Sequence, residues 1–122
     1  MKILHINYSD QIGGAATSVM RLHKSLIKRK INSRMLVREK TTQDKSILCH
    51  NSTVLNIVDL IKKAILRNIR KLSGSENRST FSMNLIKGIN SKKIKSINPD
   101  IVNFHWISNE MISLKEISNI KI

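Results

Sequence analysis

Cysteine is almost missing from this 122-residue chain: Cys49 stands alone, which excludes an intrachain disulfide and a cysteine-built zinc cluster and fits a reducing compartment. Proline occurs once, at Pro99, and glycine four times, too few for a collagen-like or low-complexity polymer. Aromatic residues make up 3%, so a core has to be built from Ile, Leu, Val and Met, and few rings are left to stack on bases. Acidic residues are scarce as well: eight against 22 Lys and Arg leave a formal charge of +14, a field that attracts phosphates, nucleic acid or anionic lipid without choosing among them. No apolar run approaches the roughly 20 residues that cross a bilayer. The amino terminus turns polar at Asn7, Ser9 and Asp10, too early for the apolar centre of a signal peptide. These absences predict a cytoplasmic protein, with attachment to the inner face of the plasma membrane left open.

What is present, 40% hydrophobic residues in a chain of one-domain length, predicts a folded globular domain. Ile3, Leu4 and Ile6 in Lys2 to Asn7 form a short apolar run suited to a buried parallel strand. Turn formers follow from Ser9 to Gly14, and then Ala15, Val19, Leu22, Leu26 and Ile27 recur at helical spacing as the expected buried face. The helix should end at Lys28-Arg29-Lys30, where cations complement its negative pole, with Asn32 taking the left-handed exit. Arg34 to Arg38 reads as a second strand and Ile47 to Cys49 as a shorter third.

From Val54 to Leu72, helical spacing gathers Val54, Ile57, Val58, Ile61, Ile65, Ile69 and Leu72 on one face and sets basic residues behind them. A polar break over Ser73 to Asn77 precedes a helix expected from Asn84 to Ile97, weakened at Gly88 and stopped at Asn98-Pro99-Asp100. Ile101 to Trp106 has the makeup of a strand, and Ser113 with Glu116 forms a capping-box pattern that opens a short helix over Ile117 and Ile120. Strands separated by helical segments predict an α/β fold, a Rossmann-like parallel sheet with flanking helices. A chain ending soon after such a strand is also expected to be incomplete.

In an open parallel sheet, ligands bind beyond the carboxyl ends of the strands. That rule selects the loop from Tyr8 to Gly14. Gly13 and Gly14 let the main chain come close to a ligand, and the free N–H groups of the following helix, from Ala15 onward, face it with a positive dipole. Asp10 lies in the same loop. The spacing matches neither the dinucleotide GxGxxG pattern nor a P-loop, and the same glycines also suit a turn that binds nothing. His105, beside Trp106 at a strand end, is placed to meet a sugar hydroxyl or phosphate, or simply to satisfy a loop carbonyl. His5 and His23 read as structural residues inside their elements. There is no closely spaced His and carboxylate set and no nucleophile elbow, so neither a metal nor a cofactor is expected. Lys62, Lys63, Arg67, Arg70 and Lys71 could meet anionic headgroups while the Ile and Leu of their segment enter a lipid interface; the competing expectation packs that apolar stripe onto the sheet.

Five blocks in order, Met1 to Asn7, Gly13-Gly14-Ala15-Ala16, Arg21 to Leu26, Ser33 to Val37 and Pro99 to Ile107, resemble the amino-terminal part of bacterial family 4 (group 1) GT-B glycosyltransferases, especially the colanic-acid type. The resemblance implies two Rossmann-like domains across a cleft, of which residues 1–122 form part of the first, the acceptor side. It implies transfer of a sugar from a nucleotide-sugar donor to a glycan or lipid-linked acceptor in cell-surface polysaccharide synthesis. Gly13 and Gly14 take the position near the donor phosphates, and His105 and Trp106 match a recurrent His-Trp pair with no assigned catalytic role. A further strand with a histidine and an aspartate, and the whole donor-gripping domain, are expected in relatives beyond Ile122, so the chain is expected to be inactive alone. The alternative is a small basic protein that binds nucleic acid or an anionic membrane surface, although no zinc finger, RNP motif or helix-turn-helix pattern supports specific nucleic-acid recognition.

Overall fold

The computed structural model describes residues 1–50, 61, 64, 65, 67, 68, 88–107 and 111–120. The chain divides into two compact units, Met1–His50 with Ser82–Ile122, and Asn51–Phe81. The first unit holds strands β1 (Lys2–Ser9), β2 (Asn32–Glu39), β3 (Ile47–Cys49) and β4 (Ile101–Phe104) and helices α1 (Gly14–Lys28), α2 (Ser91–Ile97) and α3 (Leu114–Ser118). All four strands are parallel, in the order β3-β2-β1-β4. This is the expected Rossmann-like α/β sheet.

Because successive side chains of a strand point to opposite faces, the apolar run of β1 serves two layers. Leu4 and Ile6 join Leu36, Ile89, Ile94, Ile97, Met111 and Ile112 in a buried cluster beneath α2. His5 and Asn7 lie on the other face, in register with Met35 and Val37, which pack with Ile47 against Val19 of α1. The start of β4 is pinned to β1, since Lys2 N–H donates to the Asp100 carboxylate (2.6 Å) and Asp100 N–H to the Lys2 carbonyl (2.8 Å).

Helix α1 departs from the expected stripe. Its buried residues are Ala16, Val19 and His23, whereas Leu22 and Ile27 are exposed. His23 takes the central position because Ser33 and Ser46 hydroxyls meet both its ring nitrogens, at 2.7 and 2.9 Å. The left-handed exit is made by Lys30 (φ 60°), not Asn32, which already belongs to β2. Ile31 N–H reaches the Leu26 carbonyl and Lys30 N–H the Ile27 carbonyl, a Schellman closure that fixes the left-handed residue by its distance from the helix end rather than by its type.

Before α2 the chain is not helical at Gly88 to Asn90: Asn90 caps the helix by accepting from Lys92 N–H (2.8 Å), while residues 84–87 lie outside the described residues. Asn98 leaves it in the left-handed conformation ahead of Pro99. Ser113 caps α3 as expected, accepting from Glu116 N–H, but the Glu116 carboxylate reaches across to Ser91 N–H (2.7 Å) and so caps α2. Ile61, Ala64, Ile65, Arg67 and Asn68 are helical, within the helix expected from Val54 to Leu72. Its other residues, Lys62, Lys63, Arg70 and Lys71 among them, lie outside the described residues. Ile61 and Ile65, expected on its packed face, are 56% and 53% exposed.

Candidate functional site at the carboxyl edge of the sheet

The chain leaves β1 through α1 on one face to reach β2, and arrives at β4 through α2 on the opposite face. The strand order therefore reverses between β1 and β4, and a crevice opens at that point beyond the carboxyl ends of the two strands in doubly wound sheets. The segments that follow these strands carry Asp10 to Gly14 and His105-Trp106. The sheet thus sets two groups of residues, about ninety positions apart in sequence, at one edge on either side of β1.

The loop after β1 is held at its start by two adjacent residues, Ser9 and Asp10. The Ser9 hydroxyl accepts from Gln11 and Ile12 N–H, a local turn that starts the loop. Asp10 is fully buried, and its two carboxylate oxygens accept from the N–H and the hydroxyl of both Thr41 and Thr42, at 2.7 to 3.1 Å. Burial alone would push the Asp10 carboxyl up, but these bonds outweigh it and hold it below its ordinary value. Asp10 therefore ties the glycine loop to the segment after β2, and its lone pairs are spent on that bond network.

Gly13 has φ 91° and ψ 166°, a conformation open in practice only to glycine. It stands at the N-cap of α1, makes no side-chain cap, and the first turn carries no acidic residue. A Cβ added at Gly13 or Gly14 would meet nothing within 4 Å, so the space over the turn is open. The helix start thus keeps its positive pole uncompensated and accessible. Ala15 is half-buried beside it.

On the other side of β1, β4 ends at Phe104, two residues before the expected end, although backbone pairing with β1 continues. His105 N–H donates to the Ile6 carbonyl and Tyr8 N–H to the Trp106 carbonyl, both at 3.0 Å. The buried Asn7 amide locks this end, its Oδ1 accepting from Trp106 N–H and its Nδ2 donating to the Ser9 carbonyl. His105 and Trp106 are both exposed. The Trp106 ring meets Tyr8 edge-on at 5.7 Å, and the Tyr8 hydroxyl donates to Glu39 Oε1 (2.7 Å). Burial, then the Glu39 bond and charge, push the Tyr8 hydroxyl up to about 12.

His105 Nε2 lies 3.1 Å from Nδ1 of His5, which is fully buried one strand inward. His23 closes a row of three imidazoles, its ring 6.2 Å from that of His5. Desolvation, then the nearby charges of His105 and His23, take His5 down to about 4; desolvation also lowers His105 and His23. Neither the His5–His105 pair nor the Tyr8–Glu39–Trp106 group is legible in sequence, since each depends on strand register. Among the described residues, no group of three or more His, Cys, Asp or Glu is placed to hold a metal ion. Comparison with known proteins found no matching family model, no matching curated protein and no matching solved structure.

Proposed function

We propose that the carboxyl edge of this sheet forms one wall of a glycosyltransferase cleft of the GT-B kind, in which the α1 terminus receives a phosphate of a nucleotide-sugar donor. The glycan or lipid-linked acceptor, and a role in cell-surface polysaccharide synthesis, follow from the resemblance of the five sequence blocks. The observation that carries the reading is the uncapped, glycine-led start of α1 in open space at the point where strand order reverses. A phosphate there gains backbone N–H donors and the helix dipole, and neither glycine obstructs it with a side chain. Titration with UDP, followed by amide NMR, should move the signals of Gly13 to Thr17 first, and Gly13→Val should abolish the effect. Unmoved signals at millimolar UDP would reject the reading.

A second reading, an anionic membrane surface as partner, is favoured by the exposure of Ile61 and Ile65, one helical turn apart and close to the exposed Arg67. No helix among the described residues is long and apolar enough to cross a membrane. Flotation with vesicles containing anionic lipid at low salt is expected to carry the protein upward, and Ile61→Asp with Ile65→Asp to prevent it. Absence of flotation in the unaltered chain would exclude this partner.

A further inference from the structure

The row of imidazoles behind the crevice contains an atom with no partner. His5 Nε2 is buried and accepts or donates no hydrogen bond, while Nδ1 of the same ring faces His105 Nε2 at 3.1 Å. A neutral imidazole carries one proton, so only two arrangements complete this bond. If His105 Nε2–H donates, His5 must carry its own proton on Nε2, burying an N–H with no acceptor. If His5 Nδ1–H donates instead, the buried atom is a bare lone pair. Orphaned buried N–H groups are the rarer of the two and cost a full desolvation penalty.

The surroundings of His5 offer that N–H no relief. The titratable groups facing it are His105, at the end of β4, and His23 on α1. Both His23 nitrogens are engaged by Ser33 and Ser46, and Asp44 bonds the Ser46 hydroxyl rather than either ring. Lys24, the charged neighbour of His23, lies on the exposed side of α1. In register with His5 are Met35 on β2, which is apolar, and Asn103 on β4.

We propose that His5 is a positioning residue for His105: its Nδ1–H donates to His105 Nε2 and holds His105 as the neutral tautomer whose Nδ1–H is offered to an oxygen acceptor of the ligand. The identity of that ligand rests on the glycosyltransferase reading above; the tautomer does not. Charging His105 requires a proton on Nε2, which His5 already faces with its own. The His5 proton would have to move to the buried Nε2. The pair therefore presents a neutral donor at the crevice rather than a cation, suited to a phosphate or hydroxyl oxygen that must be oriented without being trapped as an ion pair. The lowered proton affinities of both rings agree with this arrangement.

The test is long-range ¹H–¹⁵N NMR of the histidine side chains in the full chain at neutral pH. His105 should show a protonated Nδ1 and a bare Nε2; the reverse tautomer overturns the proposal. His5→Asn keeps an amide donor in place of Nδ1–H and should leave the His105 titration midpoint where it is. His5→Leu removes the donor but preserves burial, and should raise the midpoint by about half a pH unit or more; equal midpoints in all three proteins overturn the proposal. If the Leu variant does not fold, the His105 tautomer in the unaltered protein decides, a protonated Nε2 overturning the proposal. UDP that moves the Gly13 to Thr17 amides should also move His105 Nδ1. Amide shifts without a response at His105 reject the inference alone, whereas silence at both rejects the glycosyltransferase reading.

Discussion

The two faces of the sheet bury the same strands in different chemistry. Under α2 the cluster is hydrocarbon and methionine: Leu4, Ile6, Leu36, Ile89, Ile94, Ile97, Met111 and Ile112. Under α1, apolar Val19, Met35, Val37 and Ile47 share the layer with buried His5, Asn7, His23 and Ser33. The first face gains its stability from area removed from water, which is insensitive to pH. The second depends on hydrogen bonds among buried polar groups, which leave His5 Nε2 alone unpaired in a row of imidazoles that ends at the exposed His105. The row of imidazoles thus lies on one side of a sheet whose other side is packed mainly with hydrocarbon.

The largest effect expected of a single substitution breaks the hydrocarbon face. Leu4→Ala removes a fully buried side chain at the centre of the hydrocarbon cluster. It should cost about 3 kcal/mol in denaturant unfolding, by about the same amount at pH 5 and pH 7.

Acidification should act on the other face. His5 has its proton affinity lowered from 6.5 to about 4 in the folded chain, so the unfolded chain binds more protons between those values. Its contribution is complete above pH 6.5 and is lost as pH falls toward 4, amounting to about 3 kcal/mol from the 1.36 kcal/mol of each pH unit. His23, His105 and, on the α2 side, His50 shift in the same direction and add to the loss. Unfolding free energies measured from pH 7 to pH 4 should show the decline, and His5→Leu should flatten it. A slope unchanged in that variant would mean the polar face does not carry the acid sensitivity.

Asp10→Asn should come next, since it leaves the shape but replaces one acceptor oxygen with a donor facing Thr42 or Thr41. A loss of about 2 kcal/mol is expected, together with hydrogen exchange faster at Thr41 and Thr42 than at the core of β1. The smallest effect lies outside both faces. Lys30→Gly relieves a left-handed lysine at the end of α1 and should stabilise the chain by about 0.5 to 1 kcal/mol, detectable as a rise in Tm.

Much of the α/β pattern is legible in sequence because its signals are local. The apolar run at Ile3 to Ile6, the Gly13-Gly14 turn, the short strand at Ile47 and the Pro99 stop each report a backbone preference that neighbours a few residues away can satisfy. Helix α1 was legible as a helix but not in its orientation. A histidine counts as polar in an amphipathic pattern, and only Ser33 and Ser46, brought in by β2 and the segment before β3, make its burial favourable. Glu116 repeats the lesson: its spacing from Ser113 signals a capping box, but its carboxylate caps α2 instead because the fold sets the Ser91 N–H beside it. Asp10, a cleft candidate from its place in the loop, is closed off by two threonines 31 and 32 positions away.

By itself the sequence determined the kinds of elements, their order, and the glycine turn that keeps the head of α1 open, since period, turn chemistry and steric freedom act over a few residues. The tertiary structure decided which residues share the crevice. His5 and His105 are 100 positions apart, and no local preference specifies that parallel pairing of β1 with β4 will set one imidazole against the other. Register is chosen by the burial of Leu4 and Ile6, with half-buried Val102 beside them, on the opposite face, so the hydrocarbon side of the sheet fixes the geometry of the side that holds His5.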